Sequence, residues 1–170
     1  TLFRSGYSAD DIGNMALSEN WSQILSDYIP RKQLDQYSRI EQQRYVLRIP
    51  MIELRKPSVP NGLIRGQNII NLFCGLTANV PKDANFSDFP ISFACIGTDL
   101  ETGEEIVLNS GLLPTAMFSS MAIPRVFIQG EHNGRLFIDG GFVNNFPADV
   151  SKKMGADIII GVDIRNDLYT

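Results

Sequence analysis

Two stretches restrict the fold of this chain more than any other feature. Ile91 to Ile96 and Ile158 to Val162, the latter within a strand expected over Asp157 to Asp163, are apolar with none of the alternation of a half-buried strand. Such runs are the mark of strands buried on both faces. Between them the period changes. Leu112 to Ala122 is helical in pattern, with Pro114 tolerated in its first turn. Pro147 opens a helix to Met154 that Gly155 ends. Strands alternating with helices predict an α/β fold, a sheet covered by helices on two faces. The 170 residues suffice for one domain, and 44 % hydrophobic with 20 % charged residues is ordinary globular composition. No repeat or composition shift marks a second domain.

The rest of the chain is read from local signals. Thr1 to Gly6 reads as a helix end. Ser8 is an N-cap, with Asp10 and Asp11 in the first turn. Asn20 caps a second short helix expected to bury Trp21, Ile24, Leu25 and Tyr28. Tyr45–Ile49 and Met51–Leu54 read as short strands broken by Pro50, and residues 57–62 as a loop. Gly66 to Asn79 reads as an amphipathic helix stopped by Pro81. Thr102-Gly103 makes a turn into a strand over Glu105–Leu108.

Several function classes lack their residues. The net charge of −4 gives no general attraction to nucleic acid. Arg31 to Lys56 departs from this, with seven basic residues (Arg31, Lys32, Arg39, Arg44, Arg48, Arg55 and Lys56) against Asp35, Glu41 and Glu53. A solvated face accounts for such a run; a membrane- or partner-facing surface is the second reading. No apolar run is long enough to span a membrane. A Walker loop and a G-x-G-x-x-G are both absent, so the strand ending at Asp163 is weak support for a nucleotide-binding domain. One histidine and two distant cysteines, Cys74 and Cys95, cannot make a zinc site. Both cysteines read as buried free thiols. His132, in the polar hairpin-like loop Gln129–Gly134, reads as exposed and not catalytic.

The strongest local feature is Phe137-Ile138-Asp139-Gly140-Gly141-Phe142-Val143-Asn144-Asn145-Phe146-Pro147. An apolar strand ends in a carboxylate, and two glycines let backbone pass close to whatever it faces. Reactive groups gather at the carboxyl ends of strands in open α/β sheets. Asp-Gly-Gly is also plain turn chemistry, and spacing alone favours the turn. Ser119 and Ser120 lie in a helix without a G-x-S-x-G elbow, so they read as packing residues and not nucleophiles.

Taken together, these motifs resemble a patatin-like phospholipase domain. The Asp-Gly-Gly block with Asn145 and Pro147 carries the likeness. So do Ser120-Met121-Ala122-Ile123-Pro124 with Phe127, Phe93 to Gly103, Gly6 to Ile12, and Met154-Gly155-Ala156-Asp157. Pro60 to Gln67 is similar to the bacterial branch. The resemblance implies a three-layer α/β/α fold and a lipid acyl hydrolase of the phospholipase A or carboxylesterase type, without cofactor or metal. It implies a Ser–Asp dyad in which Asp139 is the aspartate and Gly140, Gly141 and Asn145 surround it. Phe137, Ile138 and Phe142 would give Asp139 a partly desolvated setting. The family's G-x-S-x-G and glycine-rich oxyanion loop do not occur among the 170 residues. Residues 1–170 are therefore expected to be the C-terminal two-thirds of the domain, inactive alone, with the serine upstream of Thr1. The implied partners are a lipid or ester substrate and a membrane surface, with no nucleic acid. By analogy with exported bacterial members, an outer-membrane β-barrel in the same chain and a cell-envelope location follow. A catalytically inactive binding or scaffold module is the alternative.

Overall fold

The apolar strand expected to end at Asp139 forms over Arg135–Asp139 and lies inside the main sheet of the computed structural model, which describes residues 7–27 and 62–162. In chain order the helices are α1 (Ala9–Ser18), α2 (Trp21–Ile24), α3 (Gln67–Leu76), α4 (Leu113–Met121) and α5 (Ala148–Lys153). The strands are β1 (Gly62–Ile64), β2 (Ala84–Asn85), β3 (Cys95–Asp99), β4 (Glu105–Leu108), β5 (Ser110–Gly111), β6 (Arg125–Phe127), β7 (Gly130–His132) and β8 (Arg135–Asp139). The main sheet has the antiparallel order β4-β3-β8-β7, with Gly97 opposite Asp139 and Asp99 opposite Phe137. β1 pairs in parallel with β6, and β2 antiparallel with β5. This mixture of helices and sheets is that of an α/β fold. Thr1–Gly6, the basic stretch Arg31–Lys56, the strands read over 45–54 and the loop 57–61 lie outside the described residues, as do Tyr28 and Asp163.

Helix α4 organises the core. Its first half puts Leu113 and Ala116 among Phe86, Phe89, Cys95, Leu108 and Phe137. Its second half puts Phe118, followed by Ala122, among Ile69 and Phe127. Small residues make this possible. Strand β7 presses so closely on the helix that a Cβ at Gly130 would overlap Ser119. Gly66 plays the same part at the start of α3: its φ of +74° suits glycine, and a Cβ there would strike the Phe118 ring.

The local signals act as read where they are self-contained. Ser8 Oγ accepts from the Asp11 N–H, and the Asp11 carboxylate accepts from the Ser8 N–H at 2.9 Å, a complete capping box. Asn20 caps α2. Trp21 and Leu25, expected inside, are exposed; the Trp21 indole N–H instead donates to the Ala16 carbonyl at the end of α1 (2.7 Å). Helix α3 stops before Asn79, because Thr77 caps it by donating its N–H and hydroxyl to the Phe73 carbonyl.

Four expectations are corrected. The buried strand expected from Ile91 begins only at Cys95. Residues 92 and 93 bond back to the Phe86 segment (Phe93 N–H to Phe86 O, Ser92 Oγ to Ser87 O), which leaves Ile91 68 % exposed. Residues 157–162 form no strand, and Ile158 and Ile160 are 83 % and 89 % exposed. A doubly buried strand needs neighbours on both edges, and no described strand pairs with this one. Cys74 is exposed on α3; only Cys95 is buried, and burial pushes its thiol up to about 12. His132 is buried, at 3 % exposure. The hairpin reading was right: Asn133 (φ +49°) and Gly134 (φ +75°) make the two-residue turn between β7 and β8. His132 precedes the turn and points inward. Its Nε2–H donates to the Ser110 carbonyl, and Nδ1 shares a hydrogen bond with Thr115 Oγ1, each at 2.8 Å.

Asp99, only 3 % exposed, closes the β3–β4 turn. Its Oδ1 accepts from the N–H groups of Glu101 and Thr102 at 2.9 Å, and its Oδ2 pairs with the Arg135 guanidinium at 2.7 Å. The Thr102 N–H is the main influence holding this carboxyl below the usual aspartate range, with Glu101 and Arg135 adding to it. A carboxyl lowered in the folded state stabilises the fold above its unfolded value, about 3.9, and that contribution is lost as pH falls through the lowered native value. Asp99→Asn is therefore expected to lower the urea midpoint at pH 7. The gap to wild type should shrink below about pH 4. A gap that stays constant from pH 7 to pH 3 would refute the charge argument.

Candidate functional site

Asp139 ends β8, and main-chain contacts fix it on both sides. Its N–H donates to the carbonyl of Ala122, just past α4, at 3.1 Å. Its carbonyl accepts from Thr98 Oγ1 on β3 at 2.9 Å. The carboxylate caps the single turn Gly140–Phe142: Oδ1 accepts from the Gly141 N–H at 2.8 Å. Oδ2 takes no hydrogen bond from any described residue. One oxygen thus orients the group and the other is free to hold a donor. The side chain is half-buried.

The two glycines have different work. A Cβ on Gly140 would fall inside the Ile96 carbonyl of β3, so the chain can pass there only without a side chain. At Gly141 a Cβ would meet Asn145 Oδ1 at 2.9 Å, the movable end of an exposed side chain. Of the apolar residues expected to shield Asp139, Phe137 is in the core and Ile138 is half-buried. Phe142 is 63 % exposed and shields little.

The loop after the aspartate carries a hydrogen-bond network that its sequence does not announce. Asn144 Nδ2 donates to Glu105 Oε2 of β4 at 2.7 Å and to Asp149 Oδ1 of α5 at 3.0 Å. Lys153 pairs with Asp149 at 3.0 Å. The Asn144 amide is the main influence lowering the Asp149 carboxyl, followed by the Lys153 hydrogen bond; Asp149 in turn raises the Lys153 ammonium. The Asn144-Asn145 pair was visible, but no sequence signal joins it to a glutamate 39 positions earlier.

Gly140, Gly141 and Asn145, all expected at the site, line a cavity of about 340 Å³ together with Phe93, Ala94, Ile96 and Ser120; Asp139 itself is not in its wall. A second cavity of about 460 Å³ shares Phe93, Ala94, Ile96 and Pro147 and continues along Val150 and Met154 of the α5 segment. Ser119 is fully buried under Gly130, so its hydroxyl is closed to any substrate. Among the described residues no three His, Cys, Asp or Glu side chains form a metal-binding set, and no helix is long and apolar enough to cross a membrane.

Residues 7–151 match the family model described as patatin-like phospholipase. A patatin-like phospholipase domain-containing protein of Caenorhabditis elegans is 39 % identical over 79 residues, 45 % of this chain and 6 % of that protein. Patatin-like phospholipase domain-containing protein 7 of Rattus norvegicus is 32 % identical over 89 residues, 51 % of this chain and 7 % of its own length. An uncharacterized NTE family protein of Mycobacterium tuberculosis is 30 % identical over 116 residues, 68 % of this chain and 31 % of its own length. The chain thus spans under one third of these relatives.

Gly140→Ala is expected to destabilise the fold by about 1–3 kcal/mol, the range for overpacking a well-packed site. Gly141→Ala should cost less, because its Cβ meets side-chain ends, Asn145 Oδ1 at 2.9 Å and Asp139 Oδ1 at 3.3 Å, and not backbone. Urea unfolding of both variants at pH 7 checks the order. Equal costs would mean that the approach to Ile96 is not tight.

Proposed function

The chain belongs to the patatin-like phospholipase family, and from that premise we propose that it supplies the carboxylate of a Ser–Asp dyad in a lipid acyl hydrolase. The observation that carries the reading is the state of the Asp139 carboxylate. It stands at a strand end with one oxygen held by the Gly141 N–H and the other without a hydrogen bond among the described residues. Asp139 takes the proton of a serine hydroxyl as that oxygen attacks the ester carbonyl carbon. When the carbon–oxygen ester bond breaks, Asp139 returns the proton to the leaving alcohol. Water then repeats the sequence on the acyl-serine, releasing the fatty acid. The serine would come from a G-x-S-x-G turn, which these 170 residues do not contain.

The adjoining cavities support an ester with an apolar arm, since their shared walls are Phe93, Ala94, Ile96 and Pro147. The cell-envelope location and the β-barrel partner implied by the resemblance stay with this proposal. A second reading is a binding or scaffold module that keeps the fold without the chemistry.

One experiment separates them. The longest natural chain carrying this segment is assayed on a short-chain fluorogenic ester, as wild type and as Asp139→Asn. The dyad predicts turnover by the wild type and a loss of about 10³-fold or more in the variant. Equal turnover by both, or none by a folded wild type, rejects Asp139 as the base; the second outcome supports the scaffold.

A further inference from the structure

Two different devices hold the segment that carries Asp139. Its strand side is held at the Asp139 main chain, by the Ala122 carbonyl and the Thr98 hydroxyl. Its loop side, residues 140–147, is tied down at Asn144, and at its far end the Pro147 carbonyl accepts from the Ser151 N–H and hydroxyl. Among the described residues, only Asn144 in that stretch reaches another element through a side-chain hydrogen bond, and it reaches two. The amide spends each of its N–H bonds on a different carboxylate, Glu105 from the sheet and Asp149 from the helix. Bonds to charged acceptors are stronger than neutral ones. The site on β4 is half-buried, which limits screening by water. Inside the loop, the N–H groups of Val143 and Asn144 both donate to the Gly140 carbonyl, at 3.1 and 2.9 Å. A pull on Asn144 is therefore transmitted to Gly140, the residue bonded to Asp139.

We infer that Asn144 is a positioning residue of the hydrolase: clamped between Glu105 and Asp149, it sets the angle at which Asp139 meets the serine. The inference rests on the dyad reading of Asp139. Asn144 takes no proton; it borders the cavity of about 340 Å³, but its amide N–H groups are spent on Glu105 and Asp149. It does its work by holding the 140–147 loop against β4 and α5. A misplacement of about 1 Å at a reacting group is enough to lose on the order of 10²-fold in rate.

The test uses the longest natural chain, with folded active sites counted by a fluorophosphonate probe that labels the nucleophilic serine. Asn144→Ala is expected to lower kcat per labelled site about ten- to a hundredfold, with KM within about twofold. Asn144→Asp puts a third carboxylate between two others and should lose more than the alanine variant at pH 8. Adding Glu105→Gln to Asn144→Asp should restore part of that loss, because the new amide at 105 can donate to the new carboxylate at 144. A kcat within twofold of wild type in folded Asn144→Ala overturns the proposal, as does failure of Glu105→Gln to restore anything. Should Asn144→Ala not fold, the Asn144→Asp pair with and without Glu105→Gln decides alone. Asp139→Asn keeps the two readings apart. If it retains full activity, the dyad fails and the clamp with it. If it is inactive while the Asn144 variants keep their kcat, only the clamp fails.

Discussion

The bond from the Asp139 N–H to the Ala122 carbonyl, 3.1 Å long, joins the two parts of the molecule on which the others depend. One end is the last residue of β8, a strand with neighbours on both sides. The other is the residue just past α4, the helix around which both hydrophobic clusters form. A helix end leaves carbonyls without intrahelical partners, and they must be satisfied elsewhere. Here one such carbonyl is used to fix the strand end. Any shift of α4 against the sheet would move Asp139, so the packing of the helix and the placing of the carboxylate are one requirement.

That requirement explains why the interface uses small residues at a cost. Ser119 is fully buried with a hydroxyl that finds no hydrogen-bond partner. A buried unsatisfied hydroxyl is destabilising by about 1–3 kcal/mol. A Cβ on Gly130 would overlap the serine facing it, and the same closeness appears where Gly140 crosses Ile96. Both tight approaches flank β8. The sheet, the helix and the Asp-Gly-Gly turn are therefore held at backbone distance and not by long, adaptable side chains.

What could be read from the sequence was what a short stretch decides for itself. The Ser8 capping box, Pro114 in the first turn of α4, the Thr102-Gly103 turn and the strand ending at Asp139 all depend on residues within a few positions. The errors share the opposite property. The apolar run over 157–162 was a sound strand pattern, but strand pairing is a property of neighbours, and no described strand supplies them. Ile91 to Ala94 has strand composition, but its main chain is engaged by Phe86 and Ser87. His132 sits in a polar loop by sequence; that its ring meets Ser110 and Thr115 is decided by where β5 and α4 lie. The Asn144 clamp was invisible for the same reason, because its acceptors belong to β4 and α5.

The placing of His132 bears on the chemistry as well as the fold. It is the single histidine of the 170 residues, it is buried, and both ring nitrogens are engaged. A general base must expose a lone pair within hydrogen-bond reach of the proton it takes. His132 has none to offer while the β7–β8 hairpin is intact. Under the proposed dyad the proton goes to a carboxylate instead. Three carboxylates of the sheet and of the helix after Asp139 are engaged: Asp99 is closed in by two N–H groups and Arg135, while Glu105 and Asp149 are drawn to Asn144. Asp139 combines a main chain pinned at both N–H and carbonyl with a carboxylate oxygen left open. That combination suits the base of the proposed dyad: its main chain is pinned, and its second oxygen is open to a donor.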